Sequence, residues 1–221
     1  MRRALVLPLL LALALPGCLS ISVAHVPDRL LEGANGNGWG VNRTASQSEP
    51  TSSSMGTQKA QTLVYDAPAP SQGYPGVLSV TTVRGLLSQS EEKTRALVQE
   101  RIRDQSTKDG ITFSGEPTQG KRTLANGAES LWFVYSGTVS NSGFFSRNAD
   151  VKVYGEVFQC AAQKTTVAIV GLAQTSDTRN VGGVGLPPNQ DDSTWRAIAG
   201  DPSGAIESIR NSDGLAYNVA C

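Results

Sequence analysis

The chain has 221 residues, with 19 Lys or Arg against 19 Asp or Glu, a single His and 39% hydrophobic residues. Balanced, scattered charge excludes a surface built for nucleic acid, which needs a basic face, and the apolar share is too high for a disordered chain. One His and three Cys supply no His-rich or Cys-rich metal site; no metal and no cofactor is expected, and the length suits one domain.

Arg2 and Arg3 open the chain, and Ala4 to Leu15 form a run of 12 residues that is apolar throughout, with Pro8 inside it. A basic start, a short apolar core and small residues after it describe a secretory signal peptide over residues 1–17. The run is too short to span a bilayer, which takes about 20 residues. It ends Leu15-Pro16-Gly17-Cys18. This resembles the lipobox of prokaryotic lipoproteins: an aliphatic residue, a small residue, Gly or Ala, then Cys, with Pro16 standing in the small-residue place. The resemblance implies cleavage before Cys18 and lipid on its thiol. Residues 18–20 then form the anchor, and the protein is held to the membrane of the cell envelope on its extracytoplasmic side. Two acyl chains on one residue hold stably where one holds only marginally. Without residues 1–17 the side chains count 17 basic and 19 acidic, a net of −2, and no basic cluster stands beside Cys18. The lipid itself is then the anchor.

With Cys18 set aside, Cys160 and Cys221 remain. An even pair in an exported protein suggests a disulfide, which would close a loop of about 60 residues. The alternative is a buried free Cys160 and a loose Cys221. A catalytic thiol is not expected, because the one His, His25, lies far off in sequence beside the anchor.

Residues 21–26 read as a short strand. The Gly-rich turn over residues 33–38 leads into Trp39, which reads as a packed core residue. In residues 42–62, 12 of 21 are Ser, Thr or Gln and none is Val, Ile or Leu, so this segment reads as a flexible loop. It holds the sequon Asn42-Arg43-Thr44, a candidate glycosylation site. Residues 62–65 and 77–83 read as strands, rich in Val, Thr and Leu.

The period then changes. Ser88 with Glu91 predicts a capping box, a stripe at Thr94, Leu97, Val98, Arg101, Ile102 and Gln105 predicts a helix over 88–108, and Gly110 stops it. Residues 111–114, 121–124, 130–139, 150–158 and 164–173 are strand candidates, with Asn126-Gly127 as a tight turn. In the run 130–139, Leu131 and Phe133 fall on one face and Trp132 and Val134 on the other. A polar, Gly-rich stretch over 174–192 follows, then a short helix capped by residues 191–194 and a strand-like run over 215–221. Clustered strands and few helices predict an α+β fold. One antiparallel sheet with one long and one short helix packed on it makes a single domain over 21–221.

Pro27, Gly38-Trp39, the Val-rich strand 77–83 and the helix 90–108 resemble the fold shared by the photosystem oxygen-evolving accessory proteins P, the Ran-binding nuclear-transport proteins and related bacterial lipoproteins. The resemblance implies an accessory or binding role, although a fold does not by itself give a function.

Candidate chemistry is sparse. Gly182-Gly183-Val184-Gly185 lacks the Lys-Ser/Thr that a phosphate loop requires and reads as a loop. Asp191-Asp192 reads as a helix cap, not a calcium loop. Glu129 and Glu156 are the two acids considered as a hydrolytic pair. Phe144-Phe145, between two strands, is a candidate contact site for a partner protein of the envelope. No catalytic residue is assigned. The expected role is a lipid-anchored accessory or binding protein without catalysis, and the alternative is a small-ligand-binding lipoprotein with 174–192 as its lid.

Overall fold

The computed structural model describes residues 23–31, 39–53, 56–67, 76–84, 90–140, 148–177, 180–181, 184–185, 198 and 214–221. Its strands are β1 (Gly40–Val41), β2 (Gln47–Ser53), β3 (Gly56–Asp66), β4 (Val77–Arg84), β5 (Ile111–Phe113), β6 (Thr118–Thr123), β7 (Glu129–Ser140), β8 (Asn148–Cys160) and β9 (Thr165–Asp177), with the small pair β10 (Asn180–Val181) and β11 (Val184–Gly185). The helices are α1 (Asp28–Leu31) and α2 (Glu91–Lys108). Nine strands form one sheet in the order β1-β3-β4-β9-β8-β7-β5, with β2 continuing beside β3 and β6 beside β7. Every pairing in it is antiparallel. The chain is α+β, as the clustering of its strands predicts.

Alternation along the strands makes two buried faces. On one, Val98 and Ile102 of α2 meet Phe133, Tyr135, Val153, Val157, Ala168 and Val170. On the other, Trp132, Tyr154, Phe158, Leu78, Val80 and Ile169 are covered by the two ends of the described chain, through Ala24, Val26, Leu31, Trp39, Leu215 and Val219. Trp39 is therefore core.

Gly155 faces Phe133 across the β7–β8 ladder, and a Cβ there would stand 2.0 Å from the Phe133 ring carbon Cζ. The ring occupies the space of the missing side chain. Gly155→Ala should therefore lose about 1–3 kcal/mol through overpacking, read as a lower urea midpoint at unchanged slope; an unchanged midpoint would show that the ring moves freely.

Several expectations need correction. Residues 47–53 and 56–62 of the expected loop are the two arms of the β2–β3 hairpin. Backbone pairing forms this ladder, so a Ser/Thr/Gln composition does not prevent it, and the apolar part of β3, Leu63-Val64-Tyr65, ties it to β4. The cap of α2 is Ser90, whose Oγ accepts from the Lys93 amide; Ser88 lies outside the described residues. The buried stripe of α2 is Thr94, Val98, Ile102 and Ser106, while Leu97 is 39% exposed and Arg101 points to solvent. The Gly110 stop and the Asn126-Gly127 turn stand as read, with φ of 74° at Gly110 and 81° at Gly127.

Residues 174–177 continue β9 and are not part of a lid. The run 215–221 is a turn followed by a single bridge, His25 to Ala220, and of the strand expected at 21–26 the described residues 23–26 hold that same bridge and no ladder. Isolated from a longer ladder, each run has one partner residue to pair with. Of the expected late helix, only Ile198 lies within the described residues. Cys160 and Cys221 form the disulfide, with Cα atoms 5.8 Å apart.

Candidate functional site

Two polar constellations stand out, one closed and one open. The closed one lies on the sheet face opposite α2. Tyr154 and Glu156 are two residues apart on β8 and share that face, and the β6–β7 turn sets Arg122 opposite Ser130. Arg122 donates from Nε to Glu156 Oε1 at 2.7 Å and from Nη2 to Oε2 at 2.5 Å. Ser130 Oγ donates to Oε1 and the Tyr154 hydroxyl to Oε2, each at 2.6 Å. The guanidinium also lies 5.8 Å from the Tyr154 ring centre and 5.6 Å from that of Tyr217. Burial opposes the charge on Arg122, but Tyr154 and Glu156 outweigh it and the pKa rises. Burial pushes the Tyr154 hydroxyl well above its ordinary range, against the pull of Arg122. The phenol therefore stays protonated and donates. With Glu156 fully out of solvent, this set holds the fold together and offers no surface to a substrate.

The open constellation is a groove of about 550 Å³ between α2 and β5, lined by Arg103, Thr107, Ile111, Phe113 and Glu116 among others. Gly137 lets β5 lie close against β7, since a Cβ there would stand 2.5 Å from the Thr112 carbonyl oxygen and 3.1 Å from Phe113 Cδ1. Without that atom, Phe113 lies flat on Tyr135, ring centres 4.4 Å apart, and Tyr135 meets Phe133 edge-on at 5.8 Å. Arg103 sits 5.5 Å from the Tyr135 ring centre and pairs with Glu116 at 2.6 Å. The Arg103 pKa is raised, first by Tyr135 and with Glu116 adding to it, while Tyr135 is raised chiefly by burial. Glu116 is 86% exposed, so it can swing away and leave Arg103 to an anionic group while Phe113 and Ile111 take an apolar one. This is chemistry for binding: apolar contact, a cation and adjustable charge pairing.

The residues singled out from sequence fall as follows. Cys18, Phe144 and Phe145 lie outside the described residues. Asn42 is described, and its amide donates to Asp66 Oδ2 at 2.6 Å while its Oδ1 accepts from the Ala45 amide at 2.9 Å. The nitrogen that would carry a glycan is thus engaged in the fold. Glu129 and Glu156 are no pair: Glu156 faces Trp132 in the ladder, and Glu129, an odd number of residues from Trp132, falls on the opposite face. His25 is exposed, with Nδ1 3.1 Å from the Val23 carbonyl oxygen.

Neither Arg122–Glu156 nor Arg103–Glu116 emerges from spacing alone. The signal for the first was slight: alternation sets Glu156 with Asp150 and Lys152, which reads as a polar face, and only Tyr154 and Phe158, two residues to either side, mark that part of the face as core. The groove had no comparable signal, because it depends on how α2 lies against β5. Among the described residues, no group of three His, Cys, Asp or Glu could hold a metal ion, and no helix is long and apolar enough to cross a membrane. No protein-family model matches the chain, and neither a curated protein nor a solved structure matches it.

Proposed function

We propose that this is a lipid-anchored extracytoplasmic protein that acts by binding a partner of the envelope, not by catalysis. The observation that carries the reading is the Cys160–Cys221 disulfide. It fits an oxidising compartment and accounts for two of the three cysteines. The third, Cys18, stands directly after the apolar leader, in the place that the lipobox resemblance gives to the lipidated residue. The accessory role accords with the weak likeness to the oxygen-evolving accessory and Ran-binding fold. It also accords with the fate of Glu156, whose carboxylate is engaged by Arg122, Ser130 and Tyr154.

Labelling the full chain with an alkyne fatty acid in a bacterial host tests the anchor. The wild type should carry the label and sediment with membranes, and Cys18→Ala should lose the label entirely and leave the membrane fraction. Label retained on Cys18→Ala would overturn the anchor. Cross-linked capture from native membranes, with Cys18→Ala as control, then tests for the envelope partner.

The α2–β5 groove favours a second reading, a small-ligand-binding lipoprotein, because it sets Arg103 beside an apolar floor. A metabolite that raises the melting temperature of the wild type but not of Arg103→Ala would select this reading.

A further inference from the structure

Residues 214–221 cross the sheet face that carries Arg122 and Glu156. Tyr217 lies over the Arg122 guanidinium, and Leu215 and Val219 are buried against the core. The backbone is tied at separate points: Ala216 donates to the Ile198 carbonyl, Ala125 donates to Tyr217, and His25 and Ala220 exchange two bonds. Asn126 Nδ2 donates to the Val219 carbonyl at 3.0 Å and reaches Cys221 Sγ at 3.5 Å. The covalent tie is at one end, through Cys221 to Cys160 at the end of β8.

We infer that residues 214–221 form a redox-latched strap. The disulfide holds the strap on the sheet, and its reduction releases the strap from Arg122 while the sheet stays folded. The two sulfurs are unequal. Cys160 is 3% exposed and Cys221 is partly open, so a thiolate of a dithiol reductant attacks Cys221 Sγ. The electron pair of the S–S bond leaves on Cys160, which takes up a proton. The second thiol of the reductant then displaces Cys221 from the mixed disulfide. Two Cys thiols and an oxidised, disulfide-linked reductant result, with two electrons and two protons delivered to the protein.

The two partners of the bond are anchored differently, which decides what moves. Cys160 ends a strand paired along both sides, to β7 and to β9. Cys221 ends a turn segment whose backbone–backbone bonds to the rest of the described chain fall at three places, Ile198, Ala125 and His25, its others running within the turn, and such segments open at lower free energy than central strands. Release lifts the Tyr217 ring from the Arg122 guanidinium, whose side chain is 8% exposed in the closed form. The oxidised protein then holds the Tyr217 ring over the Arg122–Glu156 pair, and the reduced one does not. None of this depends on the lipid anchor.

Hydrogen exchange on the full chain, oxidised and after treatment with dithiothreitol, tests the strap. Peptides covering 214–221 should exchange about ten-fold faster or more after reduction, and peptides covering 151–158 and 166–173 should keep their rates. Reoxidation should restore protection, and the Cys160→Ala/Cys221→Ala double variant should behave like the reduced protein. Three results would each overturn the inference: unchanged protection of 214–221 in the reduced protein, equal loss of protection in β8 and β9, or a disulfide that dithiothreitol reduces only after the protein is unfolded.

Discussion

Glu156→Ala is expected to lower the stability of the domain by about 3–5 kcal/mol, the range for removing one partner of a buried ion pair. The carboxylate is fully out of solvent and accepts two bonds from Arg122, one from Ser130 and one from Tyr154. Its loss takes from a guanidinium with an 8% exposed side chain the carboxylate that holds it at both Nε and Nη2. The two tyrosine rings beside it soften that cost, and burial keeps the Tyr154 hydroxyl protonated, so it supplies no charge. The pair itself is a different matter, since taking both ions out of water offsets most of their attraction. Joint replacement, Arg122→Met with Glu156→Leu, should therefore recover most of the single-variant loss, to within about 1–2 kcal/mol of the wild type. Urea unfolding of the wild type, the two single variants and the double variant reads this directly. A Glu156→Ala loss under about 1 kcal/mol would mean that water or strap movement reaches Arg122 and that the site is not closed.

The same residues show what a one-dimensional reading captures. Alternation in 130–139 and 150–158 placed Trp132 and Val134 on one face and Leu131 and Phe133 on the other, and the β7–β8 register agrees. That reading works because the side-chain period of a strand is local. Arg122 meeting Glu156 is non-local: it needs the Asn126-Gly127 turn to set β6 against β7, and β8 to lie beside β7 in the observed register. The pairing of Cys160 with Cys221 was legible from count and compartment, which are global properties of the chain. The hairpin β2–β3 was not legible, because composition reports what a segment can bury and backbone pairing at a sheet edge needs nothing buried. The groove beside β5 depends on where α2 ends and on Gly137 letting Phe113 lie close, and neither is written in a periodicity.

The helix stripe separates two predictions that the sequence pattern treats alike. Leu97 and Ile102 both belong to the expected apolar stripe, yet Ile102 is fully buried and Leu97 is 39% exposed. Buried positions 94, 98, 102 and 106 follow a spacing of four, narrower than the i, i+3, i+4 stripe of an amphipathic helix. α2 thus touches the sheet along a single ridge, with two polar residues, Thr94 and Ser106, at its ends. Almost all of its apolar contact with Phe133, Tyr135, Val153 and Val157 passes through Val98 and Ile102. Ile102→Ala should then cost about 2–5 kcal/mol, transfer and cavity terms together, because rigid strands on the far side cannot collapse into the space. Leu97→Ala should stay within about 0.5 kcal/mol, as surface changes do, and the gain in helix propensity on going to Ala slightly offsets the lost contact. Denaturant unfolding of the two variants side by side decides the matter. Similar losses at both positions would mean that α2 presents a broader face to the sheet, with Leu97 inside it. A large loss at Ile102 alone fixes the ridge, and with it the orientation that carries Arg103 out over Tyr135 and into the groove.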